Sequence, residues 1–159
     1  MDCVEIINYE PQFQNAFREL NVEWISKYFK MEAADYKALD HPDEYILNKG
    51  GFIFVALLNG VAVGVCALIK MNDTVLELAK MAVSPQAQGK KIGFLLGNAC
   101  IDKAKSVGAS KLYLGSNTVL VPALNLYRKL GFQEIFDQST PYERCNIQME
   151  LNLNSTEKN

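Results

Sequence analysis

Histidine is almost missing from this chain: His41 is the only one in 159 residues. It precedes Pro42 and has no cluster of other ligand types around it, so a histidine-built metal site and a histidine-based triad both lack support. Cysteine is sparse as well. Cys3, Cys66, Cys100 and Cys145 are scattered, without the close pairs that zinc requires, and read as small buried apolar residues in a reducing compartment. Long hydrophobic runs are lacking: the longest, residues 61–69, falls far short of the roughly 20 residues that span a bilayer. There is no excess of basic charge either. Sixteen Lys and Arg against eighteen Asp and Glu leave a net charge of −2, which argues against a basic nucleic-acid-binding face. The opening Met1-Asp2-Cys3-Val4-Glu5 contains no basic stretch leading into an apolar one, so no secretory signal is visible and the cytoplasm is the expected location. Repeats, low-complexity tracts and interdomain linkers are absent.

What remains is an ordinary globular composition, 49% hydrophobic and 21% charged, in a length that suits one domain with a proper core. Residues 1–153 are expected to form that domain and the polar residues 154–159 a frayed tail. Residues 3–8 alternate as a first strand. Residues 11–29 show helical spacing through Phe13, Phe17, Leu20, Trp24 and Tyr28. A second helical region, residues 31–48, is rich in acids and ends at Gly50-Gly51. Asn59-Gly60 between two apolar runs, 52–58 and 61–69, predicts a hairpin. A strand over 75–83 follows, then a helix whose apolar face includes Ile92, Leu95, Leu96, Ala99, Cys100 and Ala104 and which ends near Gly108. Residues 111–115 read as a short strand. The next helix has Pro122 in its first turn and Gly131 as its cap. Residues 132–136 and 145–153 read as two closing strands. The order β-α-α-β-β-β-α-β-α-β-β predicts a mixed sheet covered by helices.

The most informative stretch is Met81-Ala-Val-Ser-Pro-Gln-Ala-Gln-Gly-Lys-Lys-Ile-Gly93. A strand runs into a Pro- and Gly-containing turn from which a helix opens. Glycines let backbone N–H groups approach a ligand closely, and a helix N-terminus is partially positive, so the pattern is an anion site suited to phosphate or pyrophosphate. Lys90 and Lys91 add charge at the same place.

The element order resembles the GNAT superfamily of N-acetyltransferases, and two motifs agree. The family's cofactor loop reads Arg/Gln-x-x-Gly-x-Gly/Ala; here it is Gln88-Gly89-Lys90-Lys91-Ile92-Gly93, with Lys91 in place of the first glycine. The block Pro122-Ala-Leu-Asn-Leu-Tyr-Arg-Lys-Leu-Gly-Phe132 is similar to the family's Ala-x-x-Leu-Tyr-x-x-x-Gly-Phe helix, with Ala123, Leu126, Tyr127, Gly131 and Phe132 in register. The anchors cover residues 52–134. Leu20-Asn-Val-Glu-Trp-Ile-Ser-Lys-Tyr-Phe29 together with Glu77-Leu-Ala-Lys-Met-Ala-Val83 looks like a subgroup sometimes fused to MarR-type regulators. The fold this implies is α/β (α+β): a mixed, mostly antiparallel twisted sheet of about six or seven strands, flanked by about four helices, with a splayed parallel strand pair at the cofactor site.

The ligand the resemblance implies is acetyl-CoA or CoA. Its pyrophosphate would sit on the amides of Gln88, Gly89, Lys90, Lys91, Ile92 and Gly93, and its pantetheine arm would pair with the backbone of Met81, Ala82 and Val83. Tyr127 is the expected catalytic donor to a departing thiolate, since a phenol can give a proton or a hydrogen bond; it shares a helix face with Ala123, so an amphipathic core residue is the other reading. Glu77 is the expected base for an ammonium acceptor, or else a strand glutamate paired with Lys80 or facing water. Period two places it on one face with Ala79, Met81 and Val83. Asn117 is a candidate for the pantetheine or acceptor, or a loop cap, and Lys129 a candidate for the phosphates. Trp24, Tyr28, Glu32 and Asp35 are the candidate acceptor wall, because aromatic rings and carboxylates suit a cationic amine; core packing and a solvated acidic face are the alternatives. No metal is implied. The expected activity is acetyl transfer to a primary amine, small molecule or peptide, by direct attack in a ternary complex, with no nucleic-acid or membrane partner. A homodimer through the closing strands after Phe132 is one assembly the resemblance implies. The alternative is a non-catalytic CoA- or acyl-CoA-binding or sensing module of the same fold.

Overall fold

A computed structural model describes residues 2–136 and 143–154. Its elements follow the predicted order with one helix more: β1 Val4–Asn8, α1 Gln14–Tyr28, α2 Ala33–Asp40, α3 Pro42–Tyr45, β2 Phe52–Leu58, β3 Val61–Lys70, β4 Val75–Val83, α4 Ile92–Ser106, β5 Lys111–Ser116, α5 Val121–Leu130, β6 Gln133–Ile135 and β7 Ile147–Asn152. The strands make one seven-stranded sheet in the order β1-β2-β3-β4-β5-β7-β6. Every neighbouring pair is antiparallel except β4 and β5. Residues 155–159, most of the expected tail, lie outside the described residues.

Local chemistry accounts for most boundaries. Asn59 and Gly60 both take positive φ (51° and 87°), the primed turn that matches strand twist. Gly131 caps α5 at φ 108°. The expected second helix is cut in two, which makes five helices among the described residues rather than about four. Pro42 is the reason: it disfavours helical geometry at the residue before it, and His41 sits at φ −134°, ψ 60°. Upstream, Glu32 and Asp35 close a reciprocal capping box on α2. Residues 11–13 form a 3-10 turn before α1 rather than its first turn.

Two apolar layers sandwich the sheet. Cys66, Leu68, Leu76, Leu78, Leu112 and Met149 pack under α4 and α5, with Leu96, Cys100 and Leu124 facing them. Val55, Val65, Ala67 and Ala82 pack on the other face, against Phe17 of α1 and Leu39 of α2. Adjacent residues of β2 and β3 thus belong to opposite layers, as a sheet buried on both faces requires.

One irregularity sets up the site. Val65 pairs with Ala82 but Ala67 pairs with Ala79, so Lys80 and Met81 of β4 together oppose Cys66 of β3. This β-bulge puts Lys80 at φ 54° and shifts the alternation by one residue. Met81 and Val83 therefore join the layer of Leu76 and Leu78. That corrects the period-two expectation, which put them on the face of Glu77 and Ala79.

Candidate active site

The parallel pairing of β4 with β5 stops at Glu77 opposite Tyr113. Beyond it, β4 runs on to Val83 along β3, and β5 to Ser116 along β7. The two strands splay, and the edge of β4 past Glu77 has no β5 partner for its backbone polar groups. Two cavities open in this gap, an inner one of about 160 Å³ and a larger outer cleft of about 610 Å³. Trp24, Met81, Leu120, Ala123 and Tyr127 line both.

The outer cleft collects most of the expected cofactor residues. Met81, Ala82 and Val83 form its strand wall, Gln88, Gly89, Lys91, Ile92 and Gly93 its loop, and Ala123, Tyr127 and Lys129 its α5 wall. The first intrahelical bond of α4 runs from the Leu95 N–H to the Lys91 carbonyl (3.0 Å), so the N–H groups of Ile92, Gly93 and Phe94 precede it without helical partners. Lys91 holds the left-handed conformation (φ 64°), which a glycine would reach without strain. The backbone thus turns here as a glycine turn would, although a lysine occupies the position. Gly93 is needed for closeness: a Cβ there would lie 3.0 Å from Leu126 Cδ2 and 3.7 Å from Met81 Sδ. Lys90 departs from the expected set. It does not line the cleft, and its Nζ pairs with the Asp2 carboxylate at 2.7 Å. Phe94 and Asn125 line the cleft although the motifs did not single them out.

The inner cavity brings Tyr127 and Glu77 together with Trp24, Phe29, Leu120, Asn117 and Cys145. Trp24 and Phe29 meet edge to face at 6.4 Å. Asn117 has both ends of its amide engaged: Nδ2 donates to the Arg144 carbonyl (2.6 Å) and Oδ1 accepts from the Val119 N–H (2.9 Å). It shapes the loop after β5 and faces the inner cavity rather than the outer cleft. Tyr28 lines only the outer cleft and is 52% exposed.

Glu32 and Asp35, expected on the acceptor wall, line neither cavity. Asp35 is fully buried and accepts from Lys80 Nζ (2.8 Å) and, in a fork, from Arg144 Nη1 (2.8 Å) and Nη2 (2.6 Å). Glu32 is the outer anion, 3.3 Å from Arg144 Nη1. A buried carboxylate needs such partners, and that need draws α2, the β4 bulge and the segment before β7 onto one point. Asn21 ties in α1: its Nδ2 donates to the carbonyls of Phe17 (3.0 Å) and Lys80 (3.1 Å), and its Oδ1 accepts from Trp24 Nε1 (3.1 Å). Lys80, Arg144 and Asn21 are the residues the motifs missed. Only Asn21 left a signal, as a polar residue within the apolar stripe Phe17, Trp24, Ile25 of α1.

Burial dominates the acid–base chemistry. It raises the Glu77 carboxyl above its usual range, against the pull of the Lys80 charge. Burial also raises the Tyr127 phenol, with the Cys66 thiol adding to the effect, so Tyr127 stays protonated throughout the neutral range. Tyr113, opposite Glu77 in register, is pushed up to about 12 by burial and by Cys145 and Glu77, and its hydroxyl donates to Gln148 Oε1 (2.6 Å). Burial pushes Asp35 up as well, but the Arg144 and Lys80 contacts outweigh it and hold the carboxyl at about 2. Among the described residues, no group of three or more His, Cys, Asp or Glu could hold a metal ion. No described helix is long and apolar enough to cross a membrane.

The acetyltransferase (GNAT) family model matches residues 15–132. An N-acetylaspartate synthetase of Xenopus tropicalis is 34% identical over 92 residues, which is 57% of this chain and 34% of that protein; the match thus spans about a third of such relatives' length. An uncharacterized N-acetyltransferase of Bacillus subtilis is 32% identical over 94 residues, 59% of each chain. Among solved structures, a GNAT-family acetyltransferase of Staphylococcus aureus superposes with a TM-score of 0.86 at 26% identity, over 95% of this chain and 99% of that one. A Bacillus subtilis acetyltransferase in complex with CoA superposes with a TM-score of 0.70 at 24% identity, over 94% and 99% of the two chains, a likeness of fold.

Proposed function

Because this chain belongs to the acetyltransferase (GNAT) family, we propose that it transfers the acetyl group of acetyl-CoA to a primary amine, the amine attacking directly while both ligands are bound. The observation that carries this reading is the junction of two cavities in the β4–β5 gap, with Tyr127 on the wall they share. One cavity takes the donor and the other the acceptor, and the reacting groups meet at Tyr127.

The residues of the outer cleft fit such a donor by their own chemistry. N–H groups without helical partners at the start of α4 suit a pyrophosphate, and the open edge of β4 suits the amides of a pantetheine arm. Acetyl-CoA, when bound, supplies an acyl group activated as a thioester. Gln88, Gly89, Lys91, Ile92 and Gly93 would hold its phosphates and Met81, Ala82 and Val83 its arm, with Lys129 at the rim.

Glu77 takes a proton from the incoming ammonium, directly or through a water, so that the nitrogen lone pair is free to attack. Its raised carboxyl brings it closer to the pH at which such a base works best. A backbone N–H from Met81–Val83 steadies the carbonyl oxygen. Tyr127 keeps its proton on Oη and is the donor a departing thiolate needs.

The test is Tyr127→Phe, assayed by thiol release over a broad amine panel. Turnover should fall by about tenfold or more, as for loss of one general acid, while acetyl-CoA affinity by calorimetry stays unchanged. If no amine is acetylated although acetyl-CoA binds tightly, the chain is a binding or sensing module instead.

A further inference from the structure

Lys80 and Arg144 both line the inner cavity, and Asp35 and Glu32, the carboxylates they contact, do not. Asp35, the carboxylate they share, lies behind them with no exposed surface. Of the two cations Glu32 touches only Arg144, at 3.3 Å, and its side chain is 22% exposed, so solvent screens that pair. Lys80 has only 5% of its side chain exposed and Arg144 14%. In this network the two cationic residues line the cavity and the two carboxylates do not. The cavity also contains the half-buried Glu77, close enough to Lys80 to feel its charge. The remaining wall is largely apolar, with Trp24, Phe29, Met81 and Leu120.

This distribution discriminates among amines. A polyamine would bring a second ammonium against Lys80 and Arg144, and like charges in a buried site repel strongly. A simple alkylamine would leave the two cations facing apolar substrate. A molecule with an ammonium beside a carboxylate matches both signs at once. Building on the acetyl-transfer reading, we propose that the acceptor is a free α-amino acid, its carboxylate held at Lys80 and Arg144 while its amine is presented to Glu77. The network is rigid through Asp35 and Asn21, so the subsite is formed before the acceptor arrives.

Matched substrate pairs test this on the unaltered protein. Leucine, methionine, phenylalanine, aspartate and glutamate are compared with their α-carboxamides, which keep the amine and side chain but remove the α-carboxylate charge; spermidine and phenethylamine are included. Amino acids should exceed their carboxamides by about tenfold or more in kcat/KM, the scale of one charged hydrogen bond. Arg144→Lys should raise KM for the amino acid by about tenfold, with KM for acetyl-CoA unchanged. Carboxamides, spermidine or phenethylamine acetylated as well as the amino acids, or better, would overturn the carboxylate subsite and leave acetyl transfer standing. Transfer to no member of any pair would overturn both.

Discussion

At the scale of single residues, two positions show what a side chain's identity does and does not disclose. Lys91 breaks the family motif by type, yet its backbone takes the left-handed turn that a glycine would favour, at a cost of about 1 kcal/mol. Identity was visible in the sequence and conformation was not. Glu77 is the converse, since its type suggested a base or a surface charge and only its burial separates the two. The fold raises its carboxyl, so it favours the protonated form. The stability this contributes is present below the unfolded-state value and is lost as pH rises through the folded-state value. At neutral pH an ionised Glu77 is therefore a burden on the fold. Glu77→Gln should raise the melting temperature at pH 7, by roughly 2–4 °C for each kcal/mol recovered in a chain of this size. It should also lower kcat/KM and abolish the fall in activity on the acid side. Burial sets the shift and Lys80 opposes it, while Tyr113 is a titratable neighbour that Glu77 itself shifts. A melting temperature unchanged or lowered by Glu77→Gln would mean that burial does not penalise the carboxylate.

At the scale of elements, legibility followed periodicity. The hairpin at Asn59-Gly60, most of the α4 face and the α5 cap rest on local signals and stand where the sequence put them, although Leu95 of the expected face is 38% exposed and Ile101 is buried instead. The β4 bulge does not, because Val75–Val83 reads as uninterrupted alternation and only pairing with β3 reveals the extra residue. Likewise, nothing near Arg144 in sequence points to Asp35, 109 residues away. The ion network joins α2, β4 and the segment before β7, so it belongs to this scale. Asp35 is held at about 2; lowered in the fold, it contributes stability above its unfolded-state value near 4 that is lost as pH falls towards 2. One such shift is worth about 2 kcal/mol. Asp35→Asn leaves Lys80 and Arg144 side by side without their common anion and should cost about 3–5 kcal/mol at pH 7. Urea midpoints of the two proteins should converge between pH 4 and pH 2. A gap that stayed constant over that range would show that charge is not what Asp35 supplies.

At the scale of the whole molecule, the sheet is continuous from β1 to β6 yet open in the middle, and that opening unites fold and function. Strand order alone predicted a mixed sheet, and the resemblance predicted a splayed parallel pair; the structure has both. The inner cavity was less legible because the network beside it joins four distant segments whose meeting depends on buried charge rather than on a motif. β4 and β5 stop pairing beyond Glu77 and Tyr113, so a donor lodged between them would bridge two strands that no longer bond to each other there. Binding to the folded state alone stabilises it by mass action, about 2.7 kcal/mol at a hundred times the dissociation constant. In a chain of this size that corresponds to a rise in melting temperature of roughly 5–11 °C. CoA should produce this rise in the wild type and equally in Tyr127→Phe, whose phenol the proposed mechanism uses only for chemistry. Gly93→Val should abolish it, because its branched side chain would occupy the approach already closed to within 3.0 Å by Leu126. The variant must first fold, and a cooperative melt without CoA establishes that. A full CoA-induced rise in Gly93→Val would place the phosphate-bearing ligand somewhere other than the start of α4, and the division of the cleft into donor and acceptor halves would fall with it.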